Sequence, residues 1–131
     1  MILLDTHVWV WWVGQDKRLT PALDRAIQTS QDAGIGVSII SCWEVAKLAE
    51  LGKLHLLLPI AEWITTALAY PEVRLLDLTV PIVVESTHLP GTFHRDPADQ
   101  IIVATARVHN IPLLTVDAKI LGYPHVQTVV E

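Results

Sequence analysis

MILLDTHVWVWWVG, residues 1–14, is the stretch on which the fold turns. A short apolar run, Ile2-Leu3-Leu4, ends in one carboxylate, Asp5, and a tryptophan-rich pattern at 8–13 then opens a helix. A buried strand that closes on an acid and passes directly into a helix is the start of a βα unit. Asp5 is then either a turn residue or part of a site, and the remaining sequence has to supply its partners.

The unit repeats. Thr20 and Pro21 supply an N-cap and a first-turn proline for a helix carrying Ala22, Leu23, Ala26 and Ile27 at helical spacing. GVSII at 36–40 reads as the second strand, and SCWEVAKLAELGKL at 41–54 as a helix that stops near Gly52. PIAEWITTALAY at 59–70 is a further helix, and VRLLDL at 73–78 the third strand. Thr79 and Pro81 start a short helix, the loop LPGTFHRD follows, and Pro97 to His109 is helical again. PLLTVD at 112–117 reads as the fourth strand and VQTVV at 126–130 as the fifth. The expectation is an α/β fold of one domain, residues 1–131: a central parallel sheet in the order 3-2-1-4-5, flanked by helices on both faces.

Composition narrows the function classes. The 14 acidic and 9 basic residues give a formal charge of -5, which disfavours general attraction to polyphosphate surfaces, so a nucleic-acid role needs a local site. The single cysteine, Cys42, has no internal disulfide partner, and no Cys/His spacing matches zinc, which points to a reducing compartment, the cytoplasm. There is no basic start with a small-residue cleavage site, and no apolar run reaches the ~20 residues that cross a bilayer, so no membrane association is expected.

In open α/β sheets, ligands bind beyond the carboxyl ends of the strands, where strand order reverses. In the order above, Asp5 ends the first strand and Asp117 ends its neighbour across that reversal. Glu44 has an ordinary explanation, because Ser41-Cys42-Trp43-Glu44 matches a capping box. Asp96 similarly caps Pro97-Ala98-Asp99, with Asp99 complementing the helix dipole. Capping accounts for each acid singly, but not for four of them, Asp5, Glu44, Asp99 and Asp117, on one rim. Two carboxylates 4 Å apart repel by roughly 4 kcal/mol at an effective dielectric near 20, so the set calls for protons or a cation. Mg²⁺ or Mn²⁺, one ion or two, suits such oxygen donors, and the matching chemistry is metal-assisted phosphodiester hydrolysis leaving a 5′ phosphate and a 3′ hydroxyl.

Three blocks, MILLDTHVWVWW, SIISCWEVAKLAELGKL and HRDPADQIIVATARVHNIPLLTVD, together resemble the PIN domain, specifically the VapC-type toxins of toxin–antitoxin pairs. The resemblance spans nearly the whole chain in order and spacing. It implies an endoribonuclease acting on single-stranded RNA, dependent on Mg²⁺ or Mn²⁺, inhibited by a cognate antitoxin and commonly a homodimer. It carries the catalytic and metal-binding roles to Asp5, Glu44, Asp99 and Asp117, and supporting roles to Thr6, Asp96 and Thr115. DPADQ departs from the family pattern, which often has an aromatic and an arginine where this chain has Ala98 and Gln100.

His94 and Arg95 adjoin the acids and Lys47 lies on the helix of Glu44, so all three are candidates for RNA phosphate contact, against the plain reading of solvated polar residues. The five tryptophans could stack unpaired bases, but apolar helical patterns usually bury them: burial is expected for Trp43, and an antitoxin or dimer contact for one of the N-terminal group. Two other readings stay open. One is a fold that keeps its acids for capping alone and binds without catalysis. The other is a phosphoryl-receiving domain, which needs its acid at the end of the third strand, whereas Asp77 is read inside that strand and the first strand ends in one acid rather than a pair.

Overall fold

The computed structural model describes residues 1–129. Its centre is β1 (Ile2–Leu4), which pairs in parallel with β2 (Ile35–Ser38) on one side and β4 (Leu113–Leu114) on the other. β3 (Val73–Leu76) extends the sheet beyond β2, giving the order β3-β2-β1-β4. The reversal lies between β2 and β4, on either side of β1, as the sequence implies.

Alternation of side chains along the strands divides the core between the two faces. Ile2, Leu4, Val37 and Leu114 pack on one face with Trp9 and Trp12 of α1 (Thr6–Gly14), Leu23 and Ile27 of α2 (Pro21–Ser30), Val45 of α3 (Ile39–Glu50) and Trp63 of α4 (Ile60–Leu68). Trp9 and Trp63 meet edge-to-face at 5.0 Å. On the other face Leu3 and Leu113 pack with Ile102, Val103 and Ala106 of α6 (Pro97–His109) and Ile120 of α7 (Ala118–Leu121). α5 (Val80–Ser86) lies against α6.

Several expected boundaries move, each for a local reason. The second strand ends at Ser38, not residue 40, because the Ser38 side chain accepts the Ile40 N–H and starts α3 three residues early. Ser41 is therefore inside the helix and buried, so the expected capping box at Ser41–Glu44 does not form. α3 closes where expected: Gly52 takes φ +71 and Lys53 N–H returns to the Leu48 carbonyl. The third strand ends at Leu76, where β2 runs out of partners at Ser38. Asp77 consequently follows the strand, but β3 lies at the sheet edge, two strands from β1 and Asp5.

The fourth strand keeps only Leu113 and Leu114, because β1 stops at Leu4 when Asp5 turns to cap α1. The expected fifth strand is replaced by a single parallel bridge, Leu113 to Thr128, leaving four strands rather than five among the described residues. So short a β4 offers one residue outward: its N–H meets the Gln127 carbonyl at 2.8 Å and its carbonyl accepts from Val129. Val130, the end of the expected strand, lies outside the described residues. Among the described residues, no helix is long and apolar enough to cross a membrane.

Candidate active site

Each rim acid is placed by an element end. Asp5 caps α1, its Oδ1 accepting the Thr6 N–H at 2.9 Å. Asp117 caps α7, its Oδ1 accepting from the Lys119 and Ile120 amides at 2.8 and 3.4 Å. Asp96 caps α6 by accepting the Asp99 N–H at 3.0 Å, which leaves the Asp99 carboxylate free to face inward. Glu44 stands further along α3 than a capping box would put it, and Thr6 reaches it instead. Thr6 Oγ1 donates to Glu44 Oε1 at 2.6 Å and is hydrogen-bonded to Ser41 Oγ at 2.8 Å.

Thr115 links the two acids flanking the reversal: its hydroxyl donates to Asp5 Oδ2 at 2.6 Å and accepts the Asp117 N–H at 3.0 Å. The result is one cleft of about 340 Å³ lined by Asp5, Thr6, His7, Trp11, Glu44, Asp96, Asp99, Val116 and Asp117. All four acids read from the sequence as a set, together with Asp96 and Thr6, line it. Thr115 lies just beneath. No Lys or Arg contributes to its wall.

Uncompensated charge is visible in the acids. Burial, then the charges of Asp96, Asp5 and Asp117, push the Asp99 carboxyl up to about 7, against a smaller opposing effect of His94. Burial also raises Asp5, opposed by the hydrogen bonds from Thr115 and Thr6. Glu44 is raised by burial and by Asp5 and Asp96, against the Thr6 hydrogen bond.

The positions suggested for substrate divide. His94 Nε2 lies 3.0 Å from Asp99 Oδ2, though its alignment falls short of a hydrogen bond, and its backbone carbonyl accepts from Gln100 Nε2 at 3.1 Å. Lys47 is turned away into an exposed ion pair with Glu50, and Arg95 is exposed; neither lines the cleft. Trp43, expected to be buried, is 56% exposed, because Ser41, Cys42 and Val45 carry the inward face of α3. Trp11 was not singled out for the cleft, yet it lines it. The signal was its place four residues after His7, one helical turn along the face of α1 that leaves Asp5.

Among the described residues no group of three or more His, Cys, Asp or Glu side chains is drawn tightly enough to chelate an ion as it stands. Each carboxylate is held back by a neutral donor or by His94. Their chemistry nevertheless fits a hard, oxygen-preferring cation: Mg²⁺ keeps several waters and needs few direct carboxylates, and Asp99, raised first by burial and then by three neighbouring acids, is a carboxylate that a cation would favour ionised.

An open parallel α/β sheet with acids gathered at its topological switch point defines the class by its carboxylate centre. A family model described as the PIN domain matches residues 2–125. Ribonuclease VapC22 of Mycobacterium tuberculosis is 34% identical over 124 residues, covering 95% of this chain and 92% of that protein. The chain belongs to the PIN domain family, on the side of its VapC members. Solved structures share the fold at lower identity. VapBC2 from Rickettsia felis, bound to a promoter DNA fragment, superposes with a TM-score of 0.70 at 17% identity, covering 98% of each chain. A toxin–antitoxin complex from Klebsiella pneumoniae gives 0.67 at 21%, covering 98% of this chain and 97% of that one.

Proposed function

We propose that this protein is a metal-dependent endoribonuclease, the toxin of a toxin–antitoxin pair, cutting single-stranded RNA in the cleft of Asp5, Glu44, Asp99 and Asp117. The observation that carries the reading is the convergence of these acids, with Asp99 raised to about 7, in a cleft with no Lys or Arg among the described residues of its wall. Identity to a VapC ribonuclease along nearly the whole chain supports the same activity.

The four carboxylates would hold Mg²⁺ or Mn²⁺, which supplies Lewis acidity to the scissile phosphate when bound. The chain's own contribution is orientation. Asp5 is held at both oxygens, Oδ2 by the Thr115 hydroxyl and Oδ1 by the Thr6 amide, and the Thr6 hydroxyl holds Glu44 at Oε1. His94 keeps Asp99 turned inward, and Gln100 fixes the His94 backbone, a role for the position at which relatives often carry arginine. In-line hydrolysis leaves a 5′ phosphate and a 3′ hydroxyl.

Two uncovered apolar surfaces support protein partners, an antitoxin and a second copy in a homodimer. One is a groove of about 710 Å³ bordered by Leu54, Leu56, Leu57, Leu58, Trp63 and Tyr70; Leu57 is fully exposed beside it. The other carries exposed Leu75, Leu78, Val80, Val83 and Val84 along β3 and α5. The Klebsiella pneumoniae structure named above is a toxin–antitoxin complex, which agrees with a partner here.

The test is cleavage of mixed-sequence single-stranded RNA with Mg²⁺ or Mn²⁺, beside EDTA and Asp5→Asn. Metal-dependent cutting that disappears in the variant, with 5′-phosphate products, is expected. A cyclic phosphate as first product would overturn the mechanism, and no cutting at all would leave a PIN fold that only binds.

A further inference from the structure

We propose that Trp11, with His7 at its rim, is a nucleobase subsite: the flat wall on which an unpaired base next to the scissile phosphate stacks. This deepens the nuclease reading and rests on it. His7 and Trp11 stand one turn apart on α1, immediately after Asp5, and both line the carboxylate cleft. Their rings are 6.3 Å apart, tilted at 53°. The Arg18 guanidinium, held by a bidentate pairing with Asp16, sits 5.4 Å from the Trp11 ring centre.

The electrostatics of the cleft favour base stacking over the usual source of RNA affinity. Proteins that bind single strands combine a cationic groove with aromatic platforms. Here the wall holds five acids and no Lys or Arg, and the whole chain carries a formal charge of -5. Lys47 is committed to Glu50 outside the cleft. Apart from a bound cation, the wall therefore offers phosphate no Lys or Arg, and the aromatic ring at the cleft is a group able to hold a strand by stacking. Trp9 and Trp12 are in the core and Trp63 is buried against Trp9, so Trp11 is the tryptophan available at the site.

The experiment compares the parent protein with Trp11→Leu and Trp11→Phe, using a randomised single-stranded RNA pool and one fixed oligonucleotide with Mn²⁺. Leucine keeps apolar packing but removes the aromatic face; phenylalanine keeps a face. The expected result for Trp11→Leu is a KM raised about tenfold, kcat within about threefold and an unchanged salt dependence, with Trp11→Phe recovering most of the loss. Sequencing the cut sites should show a base preference beside the cut in the parent that flattens in Trp11→Leu. A Trp11→Leu protein with parental KM and base preference would overturn the subsite while leaving the nuclease reading intact. So would loss of antitoxin binding without any change in KM, which would assign Trp11 to a protein partner. Failure of the parent to cut RNA would sink both.

Discussion

Thr115 Oγ1 donates to Asp5 Oδ2 at 2.6 Å while accepting the N–H of Asp117, so one hydroxyl ties together the acids that end β1 and follow β4. Thr115 and Asp5 lie 110 positions apart. Thr115→Val preserves shape but leaves a buried carboxylate oxygen and an amide without that partner, a cost of about 1–3 kcal/mol. Thermal melting should show that loss, and cleavage should fall by at least tenfold, because Asp5 keeps only its Oδ1 anchor on the Thr6 amide. Unchanged kinetics would mean the bridge is structural only.

Asp5 and Asp117 serve twice, as helix caps and as cleft acids, and asparagine separates the roles because it caps as well as aspartate. Asp117→Asn should melt within about 0.5 kcal/mol of the parent yet lose cutting; Asp117→Ala should lose cutting and about 1 kcal/mol of stability besides. At Asp96, which caps α6, alanine should cost about 1 kcal/mol and leave most cleavage in place. Abolition of cutting by Asp96→Ala alone would move it from support to the reaction.

Asp99 sets a pH dependence. Its folded pKa of about 7 is above the ordinary carboxylate value of 3.8, so between these limits the folded chain binds the extra proton. Stability from this group is therefore complete below about pH 4 and is lost as pH rises through 7. Without metal, Asp99→Asn should be more stable than the parent at pH 8, by about 1–3 kcal/mol, and the gain should vanish at pH 4. Denaturant titrations at the two pH values check it; an equal difference at both would show that Asp99 does not titrate in this window.

Cation binding should oppose the same repulsion. Mn²⁺ at a hundred times its dissociation constant should stabilise the parent by about 2.7 kcal/mol, and binding at pH 6.5 should release protons. Calorimetry in buffers of different ionisation enthalpy measures both. Equal Mn²⁺ stabilisation of the parent and of a protein lacking Asp5 and Asp99 carboxylates would place the ion elsewhere.

His94, on a loop, lies 3.0 Å from Asp99, and the chain lacks the arginine that relatives often carry at Gln100. His94→Ala should lower kcat by about tenfold, and Gln100→Ala, which releases the His94 carbonyl, should lower it less. Equal and negligible effects would leave Asp99 positioned by α6 alone.

The features that depend on local chemistry are legible in the residues alone. Ile2 to Leu4 closing on Asp5, the Thr20-Pro21, Thr79 and Asp96-Pro97 helix starts and the Gly52 stop are written in short-range rules of capping and alternation, and all of them stand in the structure. The identity of the cleft acids was legible for the same reason: acids at strand and helix ends fall on one rim once the sheet is parallel.

The remaining features depend on long-range packing. Strand lengths followed from partners, not propensity: β3 stops where β2 runs out at Ser38, and the fifth strand shrinks to one bridge because β4 is two residues long. Ser41 looked like a cap and became a buried partner of Thr6, a residue 35 positions away. Trp43 and Trp11 carry the same side chain on similar helical patterns. The packing of α3 leaves one in solvent, and the direction of α1 away from Asp5 sets the other in the wall of the cleft. Local sequence rules specify which backbone groups need a partner, whereas the long-range packing of the sheet and its helices decides which residue arrives to be one.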